Sequence, residues 1–384
     1  MRLLVVATRF VPGKTYGAEV YFKHMLQAVL REIAPEDEVV IATNMDASAW
    51  MTETFIDHNT PPENIKVDAL CVPKSTIRAL VYEQFALPGV ANKHGCDVVF
   101  FPFNLRPVFG NPFRRVGAST LLMVHDLVSF FYLKHFPDYR PAFNRLQAWI
   151  LKCSINKAKA IVVPTQAMAD DLSAHFPGQA HKVSVIHEAA PPLLGDPASI
   201  ELPTAWRQVP HLLLQSGAKL PHKSQNTSLE ALAYLKRNSP ALYDDICLVI
   251  TGGNNEEQAE LRSTIERFGV QDAVDVAGRV PRETLEALSA QAELHLFPTL
   301  YEGFGLGIAE AMCLGKNFVA SDLQVLREVS HGQGVFFEPG NAVSMANALH
   351  RALSQPLPPT RAPAWAWSDH AKALIEILRE QGQN

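Results

Sequence analysis

The sequence has few cysteines, no excess of positive charge and no long apolar run, and each of these features excludes a class of protein. Its five cysteines are scattered without a C-x-x-C pair, which argues against a structural zinc site and fits a reducing compartment. There is no basic excess: the net charge is -5, whereas broad nucleic-acid binding needs a positive balance. No apolar run reaches the length of a membrane span, and the start, MRLLVVATRF, is too short in apolar residues for a signal peptide. We therefore expect a cytoplasmic protein with no nucleic-acid partner.

Short β-branched segments alternate with amphipathic helical segments, and this pattern runs through the chain twice. Such alternation predicts parallel sheets covered by helices on both faces. The chain has 384 residues, which is long for a single core. We predict an α/β fold of two Rossmann-like, doubly wound domains, with the ligand site in a central cleft outside the carboxyl ends of the strands.

The domain bounds follow from two proline-rich stretches. Five prolines interrupt the pattern between residues 190 and 210, and we interpret this segment as the linker. The predicted domains are an N-terminal domain at 1–190 and a C-terminal domain at 205–360. A second proline cluster, at 355–363, precedes a last helix within 364–384, which is detached from the second sheet and is expected to return to the first domain. Residues 44–95 give no clear pattern.

The most informative segment is 298–315, PTLYEGFGLGIAEAMCLG. An apolar strand precedes it and a helix-forming run follows, so the glycines Gly303 and Gly305 fall in a strand-to-helix turn. Unpaired N–H groups at a helix N-terminus attract anions such as phosphate. The carboxylates Glu302 and Glu310 suit neutral hydroxyls, as on a sugar, better than phosphate. An ordinary structural turn with exposed glutamates is the alternative reading of the glycines alone.

Two further features follow strands of the first half. Gly17 belongs to a glycine-containing loop that opens a helix after the first strand, either a second phosphate cradle or a plain turn; no G-x-G-x-x-G fingerprint is present there. His125 directly follows the strand at 121–124, where an imidazole can bind a hydroxyl or stabilise charge. The other reading of His125 is a buried histidine bonded to the backbone.

Lysines and a glycine-arginine turn follow strands of the second half. Lys219 and Lys223 lie in a loop before a helix, where ammonium groups can neutralise a leaving diphosphate; solvated loop charges are the alternative. Gly278, Arg279 and Val280 form a turn of the type that can flank a nucleobase, which is a weak signal by itself.

In their order and spacing these residues resemble family 4 glycosyltransferases, which are retaining, nucleotide-sugar-dependent enzymes of the two-domain GT-B type. The most specific match is E-x7-E, from Glu302 to Glu310. Supporting matches are the Gly-Ala-Glu at 17–19, the His-Asp at 125–126, the His-Lys at 222–223, the Gly-Arg-Val at 278–280 and a terminal Trp-Ser helix near residue 367. The resemblance covers nearly the whole chain.

The resemblance implies roles for the donor-binding residues. Glu310 would hold the ribose hydroxyls, and Glu302 would hold hydroxyls of the donor sugar beside the backbone amides of Gly303, Phe304 and Gly305. Lys223 would bind the diphosphate. Many family members carry an arginine shortly before that lysine; here that place is Ala218, with Lys219 next to it. Arg279 and Val280 complete the implied donor-binding set.

His125 would contact the sugar near the reacting carbon, and Gly17 would lie close to the diphosphate. With Lys223 and Glu302, His125 makes up the implied catalytic set. The resemblance implies no cofactor besides the nucleoside diphosphate sugar, which is a co-substrate, and no metal, because lysines supply the positive charge. No Asp-x-Asp is present to argue otherwise.

The predicted reaction is transfer of a hexose-like unit to an acceptor hydroxyl with retention at the anomeric carbon. Two alternatives stay open: a nucleotide-sugar epimerase of the same two-domain plan, and, less favoured, a non-catalytic sugar-binding protein. The family implies a glycan or lipid-linked acceptor made at the inner face of the cytoplasmic membrane. Residues 100–117 mix aromatics with Arg106, Arg114 and Arg115, a composition that suits peripheral contact with anionic lipid or an ordinary loop.

Overall fold

The computed structural model describes residues 1–10, 16–44, 64–73, 76–109, 113, 116–207 and 209–383. They divide into two compact units, one formed by Met1–Ala189 with Trp365–Asn384 and the other by Ala190–Ala364. Each unit carries one parallel sheet with helices, which confirms the predicted doubly wound α/β class.

The first unit is built on a seven-stranded sheet in the order β3-β2-β1-β4-β5-β6-β7, and every described pairing is parallel. Its central strands are apolar and buried on both faces, as a helix-covered parallel sheet requires. The strands are β1 (Arg2–Ala7), β2 (Glu38–Asn44), β3 (Ile65–Leu70), β4 (Val98–Phe101), β5 (Ser119–Met123), β6 (Ala160–Val163) and β7 (Val183–Val185). The helices are α1 (Tyr16–Glu32), α2 (Thr76–His94), α3 (Val128–His135), α4 (Pro141–Lys157) and α5 (Gln166–His175).

The helix at the C-terminus, Trp367–Gln383, packs in the core of the first unit, as predicted. Its apolar stripe, which includes Ala371, Leu374 and Leu378, is buried with residues of α1. Arg379 closes the contact by donating to Asp37 at 2.8 Å. The terminal helix is therefore a structural part of the first unit.

The second unit carries a six-stranded parallel sheet in the order β10-β9-β8-β11-β12-β13. Its strands are β8 (His211–Ser216), β9 (Ile246–Thr251), β10 (Val274–Gly278), β11 (Leu294–Phe297), β12 (Asn317–Ser321) and β13 (Val335–Phe337). Its helices are α6 (Thr204–Arg207), α7 (Gln225–Asn238), α8 (Pro240–Asp244), α9 (Asn255–Phe268), α10 (Arg282–Gln291), α11 (Leu306–Cys313), α12 (Gln324–Ser330) and α13 (Ala342–Ser354).

The proline-rich segment 190–210 is more than the linker that its composition predicts. Leu202 and Trp206 are buried in an apolar cluster of the second unit. The Trp206 indole donates to Oδ2 of Asp275 at 2.8 Å, and the amide of Leu194 donates to Glu286 at 3.0 Å. Prolines stop regular structure, but they leave side chains free to pack, and this segment covers one side of the sheet.

Residues 44–95, which the sequence pattern leaves unread, contain β3 and α2. β3 is an edge strand with only one fully buried residue, Ile65, so its apolar signal is weak. α2 carries Pro88 in its interior, a residue that normally argues against a helix. Residues 45–63 lie outside the described part of the chain.

Candidate functional site

Lys223 and Glu302 meet at the carboxyl edge of the second sheet. The Lys223 ammonium lies 2.5 Å from Oε1 of Glu302, and both side chains are partly buried. Lys223 belongs to the short 3-10 turn Pro221–Lys223 after β8, and Glu302 follows β11. Residues 79 positions apart are thus brought together because β8 and β11 are neighbours in the sheet.

The loops that carry this pair are bonded to each other. The backbone carbonyl of His222 accepts from the Thr299 hydroxyl at 3.0 Å and from the Leu300 amide at 2.6 Å. The His222 side chain is buried, and burial lowers its pKa to about 4, so it stays neutral. Thr299 and His222 therefore fix Lys223 against Glu302 without adding charge.

The glycine turn leads from Glu302 into α11. Gly305 has φ +91°, and a Cβ there would lie 2.9 Å from Cδ2 of Leu326. Gly307 lies two residues further on, where a Cβ would lie 2.8 Å from the Phe297 ring. A side chain at Gly305 would be strained and one at Gly307 would displace the Phe297 ring, and the turn leads from Glu302 into the first N–H groups of α11. Phe304 anchors the turn as a buried side chain, beside Gly303.

Glu310 forms a second carboxylate site on α11. Its Oε1 accepts from Nη1 of Arg282 at 2.9 Å, and Nε of Arg282 donates to Glu286 at 2.8 Å. Burial raises the pKa of Glu310 above its ordinary value, although the Arg282 charge and hydrogen bond oppose that rise. Arg282 therefore both orients Glu310 and favours its ionised form.

The remaining predicted donor residues lie at the same edge. Lys219 pairs with Glu260 of α9 at 2.5 Å; the lysine is mostly buried, whereas the carboxylate is largely exposed. Lys219 is therefore not a freely solvated loop charge. Arg279 is exposed and Val280 half-buried, both in the turn between β10 and α10.

His125 lies at the carboxyl end of β5 in the first unit, where both of its ring nitrogens face acceptors. Nδ1 is 3.1 Å from Oε1 of Glu188, and Nε2 is 2.8 Å from the carbonyl oxygen of Pro102. Burial lowers the pKa of His125, but the Glu188 carboxylate and the Pro102 carbonyl outweigh it, so the pKa is raised. Two acceptors require two ring N–H groups, which is the imidazolium form. The structure thus shows the backbone bond of one reading, and the raised pKa favours the charged form that the other reading needs.

The terminal helix extends this cluster. The Tyr21 ring stands edge-on to His125, with centroids 4.5 Å apart. Its hydroxyl lies 3.2 Å from Nε2 of His370, whose Nδ1 faces the carbonyl of His187 at 3.0 Å. Gly17 is placed in the first turn of α1 and is exposed, so it belongs to the helix rather than to the loop before it. Gly13, in that loop, lies outside the described residues.

Sequence reasoning missed two residues that complete these clusters, Arg282 and Glu188. Each carried a usable signal. Glu188 comes two residues after the strand-like segment 183–186, so it follows a strand much as His125 does, and Arg282 stands four residues before Glu286 on one helix face. Asp322, which directly follows β12, forms an ion pair with Arg327.

Lipid contact, one of the two interpretations of residues 100–117, does not apply to Arg106. Its side chain is fully buried and donates to the Thr120 hydroxyl at 3.1 Å and to the Lys157 carbonyl. Burial lowers the pKa of Arg106 to about 10. Arg114 and Arg115 lie outside the described residues.

Two absences concern the described part of the chain only. No cluster of three or more histidine, cysteine or acidic side chains there has metal-binding geometry. No helix within those ranges is long and apolar enough to cross a membrane.

Two family models match the chain and together cover most of it. "Glycosyltransferase Family 4" matches residues 16–191, and "Glycosyl transferases group 1" matches residues 203–366. The chain therefore belongs to the family 4 glycosyltransferases, as its E-x7-E motif predicted.

Curated relatives are distant in sequence. The chain is 22% identical to the O-antigen chain mannosyltransferase RfbU of Salmonella typhimurium over 228 residues, 59% of either chain. It is 23% identical to the alpha-D-kanosaminyltransferase of Streptomyces kanamyceticus over 75% of this chain and 76% of that one. The match to O-antigen chain mannosyltransferase B of Escherichia coli is 30% identical but spans 36% of each. Two of these three matches thus span well under two thirds of the relative.

Solved structures share the fold over the full length of the chain. Anabaena Alr3699/HepE in complex with UDP and glucose has a TM-score of 0.65 at 18% identity and is covered to 97%. WaaG, a glycosyltransferase involved in lipopolysaccharide biosynthesis, has a TM-score of 0.63 at 16% identity and is covered to 98%. Both cover 100% of this chain, and the fold is of the GT-B type.

Proposed function

We propose that the protein is a retaining glycosyltransferase that moves a sugar from a nucleoside diphosphate sugar to an acceptor hydroxyl. The observation that carries the proposal is the Lys223–Glu302 pair, 2.5 Å apart, with Glu302 in the turn that leads into α11. A cation, a hydroxyl acceptor and a helix N-terminus at one edge suit a ligand that combines a diphosphate with a sugar. The O-antigen mannosyltransferase names of two relatives support a role in cell-envelope glycan or lipid-linked saccharide synthesis.

In the proposed mechanism, Lys223 leaves Glu302 for the diphosphate when the donor binds. Glu302 then accepts hydrogen bonds from sugar hydroxyls, so both partners of the pair keep a counterpart. The leaving diphosphate gains stabilisation from Lys223, from Lys219 and from the first N–H groups of α11, without a metal ion. We assign the ribose hydroxyls to Glu310, which Arg282 holds in place.

Retention is assigned to a front-face route, in which the acceptor hydroxyl attacks from the side that the diphosphate leaves. We find no candidate nucleophile for a covalent route. His125 is the proposed contribution of the first unit, as an imidazolium whose positive charge lies near the reacting carbon of the sugar, since both of its N–H groups are bonded to Glu188 and to the Pro102 carbonyl.

A thermal-shift screen with uridine, guanosine and adenosine diphosphates tests the donor site. A ligand that binds only the folded state stabilises it by about 2.7 kcal/mol when present at a hundred times its dissociation constant. We expect one nucleotide to raise the melting temperature, and Glu310→Ala to remove that rise while the matched control Glu230→Ala, at an exposed position of α7, keeps it. A protein that no nucleoside diphosphate stabilises would refute the proposal.

The reaction is tested by nucleotide release with and without candidate glycan acceptors. Release that depends on the acceptor supports transfer, and the anomeric configuration of the product, read by NMR, tests retention. Interconversion of the nucleotide sugar without an acceptor would establish the epimerase alternative. Binding without either reaction would establish a sugar-binding protein.

A further inference from the structure

The terminal helix brings two ring side chains to Tyr21 of α1. Trp367 and His370 stand three residues apart and therefore lie on the same helix face. Their ring centroids lie 5.9 Å and 5.5 Å from that of Tyr21, both in edge-on geometry. Tyr21 and His370 are fully buried. The terminal helix thus does more than cover apolar core residues, because it also forms a buried polar contact next to His125.

The segment after β7 holds His370 from the other side. The imidazole of His187 stacks on the indole of Trp365, with centroids 4.1 Å apart and the two planes at 9°. The backbone carbonyl oxygen of His187 lies 3.0 Å from Nδ1 of His370. The next residue, Glu188, is the one whose carboxylate lies 3.1 Å from Nδ1 of His125. Two consecutive residues therefore hold the two histidines.

The contacts assign the direction of each hydrogen bond. Burial lowers the pKa of His370 more than the His187 carbonyl and the Glu188 carboxylate raise it, so this imidazole is neutral and carries one N–H. A carbonyl oxygen only accepts, which places that N–H on Nδ1. Burial raises the pKa of Tyr21 well above its ordinary value, so its hydroxyl keeps its proton. The hydroxyl therefore donates to Nε2 of His370, 3.2 Å away.

The Tyr21 ring is fixed between His370 and His125. Its hydroxyl bonds His370, and its ring stands at 79° to the His125 imidazole with centroids 4.5 Å apart. A shift of the ring would leave the hydroxyl and Nε2 of His370 buried without partners, which costs the desolvation of both groups. The ring thus covers one side of the imidazole whose nitrogens bond Glu188 and the Pro102 carbonyl.

We propose that His370 is a positioning residue for His125 and acts through Tyr21. The terminal helix holds the Tyr21 ring, and the ring keeps the imidazole turned so that both of its nitrogens meet their acceptors. Burial lowers the pKa of His125, and the carboxylates of Glu188 and Asp126 raise it, while Tyr21 and His370 face it as neutral groups. The effect on turnover rests on the role proposed above for His125, whereas the effect on the imidazole itself does not.

NMR titration of the full chain with labelled histidine tests the positioning directly. The His125 signal is identified by its loss in His125→Gln. Water that enters beside a loosened ring weakens every local effect on a pKa, and the net effect on His125 is upward. We therefore expect His370→Leu to move its titration downward, toward 6.5. His370→Gln should keep the wild-type titration, because a glutamine amide can still accept from the Tyr21 hydroxyl.

Turnover and donor binding separate positioning from binding. His370→Leu should lower turnover, by up to about 100-fold for a misplaced reacting group. The nucleoside diphosphate selected by the thermal-shift screen should still raise the melting temperature, because the proposed donor contacts belong to the second unit. The control for stability is Leu378→Ala, which removes a buried side chain from the same helix and should leave the His125 titration unchanged.

An unchanged His125 titration in His370→Leu would overturn the proposal. An equal shift in Leu378→Ala would overturn it as well, since loosening of the whole helix would then explain the result. A glutamine variant that titrates like the leucine variant would contradict the part given to the Tyr21 hydrogen bond. A titration that moves while turnover stays the same would support the positioning and refute the role of His125 in the reaction.

Discussion

The carboxyl edges of the two sheets hold their charges in different ways. In the second unit, Lys223 and Glu302 form a partly exposed ion pair, and so do Arg282 and Glu310. In the first unit, His125 is bonded to the buried carboxylate of Glu188 and to the Pro102 carbonyl, with Tyr21 against its ring. The carboxyl edge of the second sheet thus carries partly exposed ion pairs whose partners can be replaced. At the carboxyl edge of the first sheet, both ring nitrogens of His125 already have buried partners.

The difference follows from the cost of separating charges. A partly exposed ion pair contributes little, because water screens it, so an anion for the lysine and a hydroxyl for the glutamate can replace it at small cost. A buried carboxylate that loses its partner costs several kcal/mol. The second edge is therefore suited to exchange partners with a donor, and the first to hold one imidazolium in a fixed position.

The largest effect is expected at Lys223. Lys223→Ala removes the cation assigned to the leaving diphosphate, and loss of one such donor typically lowers turnover by about 10²–10³-fold. Lys219→Ala should cost less, about tenfold, because its partner Glu260 is largely exposed and lies outside the turn that leads into α11. The measurement is release of the nucleoside diphosphate selected by the thermal-shift screen.

A second variant distinguishes a direct role of Lys223 in turnover from a loss of stability. Lys223→Ala leaves Glu302 without its cation, whereas Lys223→Ala/Glu302→Ala removes both partners and should recover the melting temperature but not the turnover. If Lys219→Ala lowers turnover as much as Lys223→Ala does, Lys219 takes the role of the arginine that many family members carry near this position.

The next effect concerns the hydrogen-bond network of His125 and Glu188 at the carboxyl edge of the first sheet. Because the pKa of His125 is raised above 6.5, the stabilisation from its pair with Glu188 is complete below that value and is lost as pH rises through the folded-state pKa. Glu188→Gln should lower the free energy of unfolding by about 2 kcal/mol at about pH 6, and by less at about pH 9. Denaturant unfolding of both proteins at the two pH values measures the difference.

A loss in Glu188→Gln that does not change with pH would show that His125 is neutral in the folded chain. The first edge would then be an ordinary buried hydrogen-bond network without a charge. The proposed difference in charge between the carboxyl edges of the two sheets would then be wrong for His125.

How much the sequence could predict differs along the chain. The sequence predicts strands at 98–101, 160–163 and 335–337, because each is a short, continuous apolar run, and the structure places strands at the same bounds. The edge strand β3 and the proline-containing α2 could not be predicted, since sheet pairing and packing decide them rather than local pattern.

The candidate site divides in the same way. The rule that ligand residues follow strands found His125, Lys223 and Glu302, and the structure pairs two of them. The same rule did not predict the contact of Arg282 with Glu310 or that of Glu188 with His125, because each of these contacts joins residues on different elements. Their proposed roles in binding and catalysis stay predictions.

At the carboxyl edge of the second sheet, a change of Arg282 is expected to have an effect of intermediate size on nucleotide binding. Arg282→Met removes the cation that opposes the raised pKa of Glu310, so the carboxyl should protonate at a higher pH than in the wild type. Nucleoside diphosphate binding should weaken about tenfold at about pH 6 and recover in part as pH rises. Calorimetric titrations across that range measure it. Glu286→Gln, which keeps the Arg282–Glu310 contact, is the control; an equal loss there would place the effect in α10 as a whole.

The smallest effect tests where the second unit begins. Trp206→Phe keeps the apolar packing of segment 190–210 but removes the indole hydrogen bond to Asp275, which should lower the free energy of unfolding by about 1 kcal/mol. A double-mutant cycle with Asp275→Asn isolates the contact, because the tryptophan change should cost almost nothing once the acceptor has gone. If Trp206→Phe has no effect in the wild-type background, the proline-rich segment behaves as the linker that its composition predicts. A loss confined to the wild-type background makes the segment a structural part of the unit that carries Lys223 and Glu302.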